Sequence, residues 1–148
     1  MKKNHTLHLL LVEDNPADVR LTREAIKECT LKEQIVLHVV SDGEEALRYL
    51  HHQPPYEEST LPDLILLDLN LPKKDGREVL TVIKQHQTLR RIPVIVLTTS
   101  NARRDVLDTY DLHANCFITK PVDIRQFIAI FQSIETFWFQ VVQLPMHL

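Results

Sequence analysis

The stretch that decides the fold runs from Leu64 to Gly76 and reads LILLDLNLPKKDG. Its four consecutive aliphatic residues, Leu64–Leu67, predict a short strand covered on both faces, as strands of parallel sheets are. Asp68 follows directly and closes the strand. The segment therefore predicts a buried strand with an acid at its carboxyl end.

Four more short apolar runs are separated by longer segments with helical spacing. The predicted strands are Leu7–Val12, Ile35–Val40, Leu64–Leu67, Val94–Leu97 and Cys116–Ile118. Between them, apolar residues recur as on one helical face, with Ala17, Leu21 and Ala25 in one group and Val79, Leu80 and Ile83 in another. This alternation is typical of a parallel sheet with crossover helices. We expect an α/β fold with a doubly wound five-stranded parallel sheet and five helices.

The helix starts carry local signals. Asn15 is a capping residue before Pro16 at the first helical position, and Asp18 lies in the first turn, where the helix dipole favours negative charge. Asp42 and Glu45 have the spacing of a capping box. The segment 51–61, HHQPPYEESTL, predicts a long surface loop.

Composition excludes several classes of protein. A chain of 148 residues has room for one domain, and 17 basic against 20 acidic side chains provide no positive field for nucleic acid. No apolar stretch approaches the ~20 residues of a membrane span, so we expect a cytoplasmic protein. The two glycines cannot form a glycine-rich nucleotide loop, and the two distant cysteines predict neither a zinc site nor a disulfide framework.

Acids follow two of the predicted strands. Glu13 and Asp14 come directly after the first strand, and Asp68 after the third. In a doubly wound sheet the carboxyl ends of central strands meet at one edge, where ligands bind. Converging carboxylates repel one another unless a cation neutralises them, and hard oxygen ligands suit Mg²⁺ or Mn²⁺. The sequence therefore predicts a metal site at this edge.

A hydroxyl and an ammonium complete the arrangement. Thr98 ends the fourth predicted strand, and Lys120 follows the fifth. A carboxylate that attacks phosphorus needs its own charge and that of the transferred group offset, which a metal ion and an ammonium can do. A hydroxyl can bond the phosphoryl oxygen. These four strand ends together indicate phosphoryl transfer.

The segments LLLVEDN (9–15), LILLDLNLPKKDG (64–76), VIVLTTS (94–100) and FITKP (117–121) resemble the receiver domain of two-component response regulators. The resemblance implies a flavodoxin-like receiver fold, here a single domain over residues 7–144 with no output domain. It implies that Asp68 is the phosphoacceptor and takes its phosphoryl group from a sensor histidine kinase. Output would then pass through altered contacts with an unidentified downstream protein.

The resemblance also implies roles for the other site residues. Asp14 and Asp68 would bind Mg²⁺ directly, Glu13 through a metal-bound water, and Asn70 through its backbone carbonyl. Lys120 would bond the phosphoryl group, Thr98 would move to meet it, and Phe117 would swing inward as the second switch residue. His113 departs from the pattern, because receivers commonly have glycine there, and we expect that helix end to be built differently.

Two other functions compete with the phosphorylatable switch. A phosphatase of the haloacid-dehalogenase type also uses an aspartate after a strand, but it needs a second acid two positions later, where this chain has Asn70. A degenerate receiver that acts only as a scaffold would lack acids or the lysine, whereas all are present.

The carboxyl-terminal segment is unusually apolar, with Glu135 as the one charged residue from Gln126 to Leu144. Two stripes are predicted on this helix. The first, which can cover the sheet, contains Phe127, Phe131, Ile134, Trp138 and Val141; the second contains Ile130, Phe137 and Leu144. Either the whole helix is pressed deeply into its own domain, or the second stripe is a partner surface; we favour the second alternative, with a symmetric homodimer as the partner. The ending FWFQVVQLP resembles small response regulators that partner cyanobacterial-type phytochromes, which implies a bilin-bearing kinase.

Overall fold

The computed structural model describes residues 6–145, which form one five-stranded parallel sheet. The strand order is β2-β1-β3-β4-β5, the order of the flavodoxin-like doubly wound sheet. The strands are β1 Leu7–Val12, β2 Ile35–Val40, β3 Leu64–Leu67, β4 Val94–Thr98 and β5 Cys116–Thr119. The predicted sheet is confirmed, and the last two strands are each one residue longer than expected.

Within the described part of the chain, five α-helices connect and flank the strands. They are α1 Pro16–Lys27, α2 Gly43–Leu50, α3 Gly76–Gln85, α4 Arg103–Asp111 and α5 Ile124–Ile134, with a short 3₁₀ helix at Leu89–Arg91 and a π-helix at Glu135–Val141. No helix within residues 6–145 combines the length and the apolar character needed to cross a membrane.

The sheet has an apolar layer on each face. Along β1, Leu10 and Val12 face one layer, which α2 and α3 cover, while Leu9 and Leu11 face the other, which α1 and α5 cover. Neighbouring side chains of a strand point to opposite faces, so burial on both faces requires the continuous apolar runs seen in the sequence. Ala25 of α1 is buried as predicted, whereas Ala17, in the first turn of the helix, is exposed.

Side-chain caps fix where the helices begin. Asn15 accepts a hydrogen bond from the backbone N–H of Ala17, and Asp42 accepts one from Glu45, as predicted. The Glu45 carboxylate reaches back to the N–H of Ser41 rather than to that of Asp42, so the predicted capping box is only half formed. A complete box, which the sequence analysis missed, joins Asp75 and Glu78 at the start of α3.

Both glycines of the chain pack against the loop that follows Asp68. A Cβ on Gly76 would lie 2.3 Å from the backbone oxygen of Asp68, and a Cβ on Gly43 would lie 2.1 Å from that of Lys74. The N–H of Gly76 donates to the carbonyl of Leu69 at 2.9 Å. Only a residue without a side chain allows α2 and α3 to approach this loop so closely.

The carboxyl-terminal segment corrects the stripe assignment. After α5 the backbone widens to a π-helix, closed by a bond from the N–H of Val142 to the carbonyl of Phe137 at 3.0 Å. The wider turn rotates later side chains relative to a continuous α-helix. Val141, predicted to face the sheet, is 66% exposed, and Leu144, predicted for the exposed stripe, is 6% exposed. Both assignments are wrong.

The end of α4 corrects a second expectation. His113 adopts φ 73°, the left-handed conformation that a glycine would take. Its N–H donates to the carbonyl of Tyr110, and that of Ala114 to the carbonyl of Thr109. These are the two bonds of a Schellman motif, so the helix end is built in the usual way with a histidine in place of glycine.

We predict that Gly76→Ala lowers the free energy of unfolding by about 1–3 kcal/mol, because its Cβ would overlap backbone that cannot move freely. Urea denaturation measures the change. Gln85→Ala, at the exposed end of the same helix, is the control. Equal stability of the two variants would contradict the close approach of α3 to the loop.

Candidate functional site

Three carboxylates meet where the strand order reverses. Glu13 and Asp14 follow β1, Asp68 follows β3, and these two strands pair directly. Each carboxylate offers one oxygen, and the three oxygens lie within 4.8 Å of one another. Glu13 and Asp68 are buried and Asp14 is exposed, so the cluster opens to solvent on one side.

The Lys120 side chain reaches into this cluster from the end of β5. Its Nζ lies 2.5 Å from Glu13 Oε1, 2.8 Å from Asp18 Oδ2 and 3.2 Å from Asp68 Oδ2. The side chain is 6% exposed. Lys120 therefore lies close to Glu13 and Asp68, and it also contacts Asp18, which was not expected at the site.

Backbone donors hold the two buried carboxylates in place. Asp68 Oδ1 accepts a hydrogen bond from the N–H of Asn70, and Glu13 Oε2 accepts one from the N–H of Asn15, both at 3.2 Å. Each carboxylate therefore uses one oxygen for the backbone and turns the other towards Lys120. The backbone fixes both groups before any ligand binds, which lowers the cost of ordering them.

Burial and charge shift the pKa values of the buried pair. Burial raises the pKa of Glu13 to about 7, although its hydrogen bond to Lys120 acts in the opposite direction. Burial alone would lower the pKa of Lys120, but hydrogen bonds to Asp18 and Glu13 together with the nearby negative charges raise it above its ordinary value. Lys120 is therefore charged at neutral pH, while Glu13 titrates near neutrality.

The hydroxyl of Thr98 is buried at the end of β4. Its Oγ1 has no hydrogen-bond partner among residues 6–145. The Thr98 carbonyl accepts a hydrogen bond from the backbone N–H of Lys120 at 2.7 Å, which ties the ends of β4 and β5 together. A buried hydroxyl without a partner is costly, so it is ready to bond an incoming group.

Phe117, the expected second switch residue, lies on β5 outside the acid cluster. Phe117 is half-buried on β5, packs against the α2–α3 side of the sheet, and donates its N–H to the hydroxyl of Tyr110 at 3.2 Å.

Sequence analysis did not identify Asp18 as a site residue and gave it only a role at the helix dipole. Its position, one helical turn after Glu13 and Asp14, indicates that its side chain can lie near theirs. Nothing else in the sequence predicts the contact between Asp18 and Lys120.

The acid cluster fits a divalent cation. Its ligands are hard carboxylate oxygens from two adjacent strand ends, and the exposed side at Asp14 leaves access for waters and a phosphate oxygen. Glu13, Asp14 and Asp68 carry three formal negative charges against one on Lys120. A divalent cation, in addition to the Lys120 ammonium, would offset the remaining repulsion among the three carboxylates.

The affinity of the site for Mn²⁺ should rise about tenfold between pH 6 and pH 8, because protons compete with the metal ion for Glu13, whose pKa is about 7. Electron paramagnetic resonance of free Mn²⁺ measures the affinity. Glu13→Gln should flatten the profile. A wild-type affinity that does not change with pH, or an equal slope in Glu13→Gln, would contradict this assignment.

Comparisons with known proteins agree with this geometry. Residues 9–132 match the model of the response regulator receiver domain. Response regulator Rcp1 of Synechocystis sp. is 50% identical over 137 residues, which cover 93% of this chain and 92% of Rcp1.

Two solved structures are similar over nearly their whole length. The phosphorylated cyanobacterial phytochrome response regulator RcpA has a TM-score of 0.89 and 49% identity, covering 95% of this chain and 99% of its own. The Mn²⁺-bound form of Rcp1 has a TM-score of 0.87 and 50% identity, covering 94% and 99%. These matches favour the receiver over the dehalogenase-type phosphatase. The chain belongs to the response regulator receiver domain family.

Proposed function

We propose that Asp68 is the phosphoacceptor of this response regulator. Receiver domains bind Mg²⁺ and act as signalling switches that histidine kinases control. The observation that carries the residue assignment is the position of Asp68, whose buried carboxylate lies both in the three-acid cluster and 3.2 Å from the Lys120 ammonium. An Asp68 oxygen forms the new bond to phosphorus, the bond from phosphorus to the histidine nitrogen breaks, and the imidazole keeps that electron pair.

The neighbouring residues divide the remaining work. Glu13, Asp14, Asp68 and the backbone carbonyl of Asn70 would hold Mg²⁺ or Mn²⁺, which offsets negative charge during transfer. The Lys120 ammonium would donate hydrogen bonds to the phosphoryl oxygens. Removal of the group by water, with the same residues in place, would return the switch to its resting state.

Thr98 and Phe117 would carry the signal away from Asp68. The unpartnered hydroxyl of Thr98 gains a hydrogen bond when it moves to the phosphoryl group, which favours the shifted conformation. Phe117 lies two rungs before the Thr98–Thr119 pair on β5, so movement of β4 reaches it directly. The altered surface would be that of α4 and β5, which a downstream protein would contact.

The similarity to RcpA and Rcp1 supports a narrower proposal about partners. RcpA is a phytochrome response regulator, so we infer that the cognate kinase is a phytochrome, with a bilin as its chromophore. The expected cytoplasmic location and the receiver domain bounds of residues 7–144 stay predictions.

We also propose a homodimer that uses the exposed part of the second stripe. Phe137 is 51% exposed and Ile130 half-buried, and both line an open apolar cleft of about 360 Å³ beside Ile118 of β5. Leu144 is buried and leaves this interface. Exposed apolar surface of this kind commonly marks a protein interface, and symmetric dimers are the commonest closed oligomers.

Acetyl phosphate tests whether Asp68 is the phosphoacceptor, because it donates its phosphoryl group and leaves as acetate. With Mg²⁺ present, intact mass spectrometry should show one added phosphoryl group. Asp68→Asn and removal of the metal ion should each abolish the gain, because one removes the nucleophile and the other the offsetting charge. No gain in the wild type would favour the scaffold interpretation, and rapid turnover of unrelated phosphomonoesters would favour a phosphatase.

Thr98→Ala should take up the phosphoryl group from acetyl phosphate at a rate within about twofold of the wild type, because Thr98 is neither nucleophile nor metal ligand. It should, however, abolish the shift of the Phe117 ring signals that NMR detects on phosphorylation. Thr119→Ala, at the paired position on β5, is the control. An unchanged Phe117 response in Thr98→Ala would remove Thr98 from the switch.

Sedimentation velocity at micromolar concentration should show a dimer of the 17.3 kDa chain. Phe137→Glu should yield monomers, because it places a charge in the apolar interface. Val122→Glu adds the same charge at a fully exposed position away from the cleft and should stay dimeric. A wild type that sediments only at 17.3 kDa would contradict the dimer.

A further inference from the structure

Asp18 in the first turn of α1 contacts the functional site directly. Its Oδ2 lies 2.8 Å from Lys120 Nζ, closer than the 3.2 Å that separates Asp68 Oδ2 from the same nitrogen. The Asp18 side chain is 22% exposed, so this ion pair is partly shielded from solvent. Charge-assisted hydrogen bonds of this length are among the stronger polar contacts in proteins.

The three carboxylates around Lys120 use all of its donors. An ammonium has three N–H groups, and Glu13, Asp18 and Asp68 each accept one. Glu13 and Asp68 belong to the cluster that fits a divalent cation, and Asp18 does not. A cation that draws on the cluster therefore competes with Lys120 for two of its three partners and repels its charge. Asp18 is the remaining partner.

We propose that Asp18 is a positioning residue for phosphoryl transfer, which holds the Lys120 ammonium beside Asp68 when a metal ion occupies the acid cluster. The inference rests on the proposed role of Asp68. With one N–H bound to Asp18, the ammonium keeps another directed at Asp68, where the phosphoryl oxygens arrive. Asp18 is not part of the three-acid cluster, so it would act only through Lys120.

Stabilisation of the helix start is the alternative explanation for Asp18. That role does not require the contact with Lys120, because Asn15 already caps α1 through the N–H of Ala17 and Pro16 occupies the first helical position. Glu44 also lies in the first turn of a helix, α2, where it favours the dipole, and it forms no ion pair with any of residues 6–145. The 2.8 Å contact is what distinguishes Asp18.

A double-mutant cycle tests whether Asp18 acts through Lys120. Asp18→Asn should slow phosphorylation by acetyl phosphate about tenfold, within the range expected for groups in one ion-pair network. In a Lys120→Gln background, the same substitution should change the remaining rate less than twofold. Glu44→Gln, which removes a charge from the first turn of α2, should have no effect. An unchanged or faster Asp18→Asn, or an equal loss in both backgrounds, would overturn the proposal.

NMR provides a readout that does not depend on phosphorylation. A buried ammonium with a fixed acceptor exchanges its protons slowly, so Lys120 should show an observable ¹⁵Nζ signal in the Mg²⁺-loaded wild type, where Asp18 stays bound to it. The signal should disappear in Asp18→Asn and persist in Glu44→Gln. Persistence in Asp18→Asn would overturn the inference even if phosphorylation failed. Failure of the wild type to accept a phosphoryl group would overturn the role of Asp68 alone.

Discussion

The ion cluster around Lys120 is the constraint on which the site depends. One buried ammonium faces carboxylates that arrive from three elements: the end of β1, the start of α1 and the end of β3. Burying any one of these charges alone would cost several kcal/mol, so each is tolerable only while the others are present. The negative excess that remains fits a cation at this edge, and in the proposed function that cation would offset the charge that Asp68 meets as it accepts a phosphoryl group.

The fold delivers these groups to one place through strand order and close packing. Because β1 and β3 are neighbours, the acids that follow them meet at the switch point, and β5 brings Lys120 from the far edge. The loop after Asp68 is held by Gly43 and Gly76, which admit the two helix starts. A chain with only two glycines thus places both at its functional loop, where backbone must approach backbone.

Much of this could be predicted from the sequence, because strands of parallel sheets need continuous apolar runs and the carboxyl ends of such strands share an edge. Prediction failed where tertiary contacts override local pattern. Val141 and Leu144 were predicted on the wrong faces, because an α-helical period does not hold across a π-helix. That π-helix begins at Glu135, whose buried carboxylate accepts a hydrogen bond from the N–H of Leu31. The contact of Asp18 arises between residues 102 positions apart.

The proposed function requires that the cluster direct phosphorus to one carboxylate, that of Asp68. Borohydride reduces an aspartyl phosphate to homoserine, and peptide mass spectrometry then locates the modified residue after phosphorylation by a histidine kinase. We expect homoserine at position 68 and no reduced side chain at any other acid of the cluster. Homoserine at position 14 or 18, the longer alcohol hydroxynorvaline at position 13, or a phosphorylated protein without a reduced residue at position 68 would contradict this assignment.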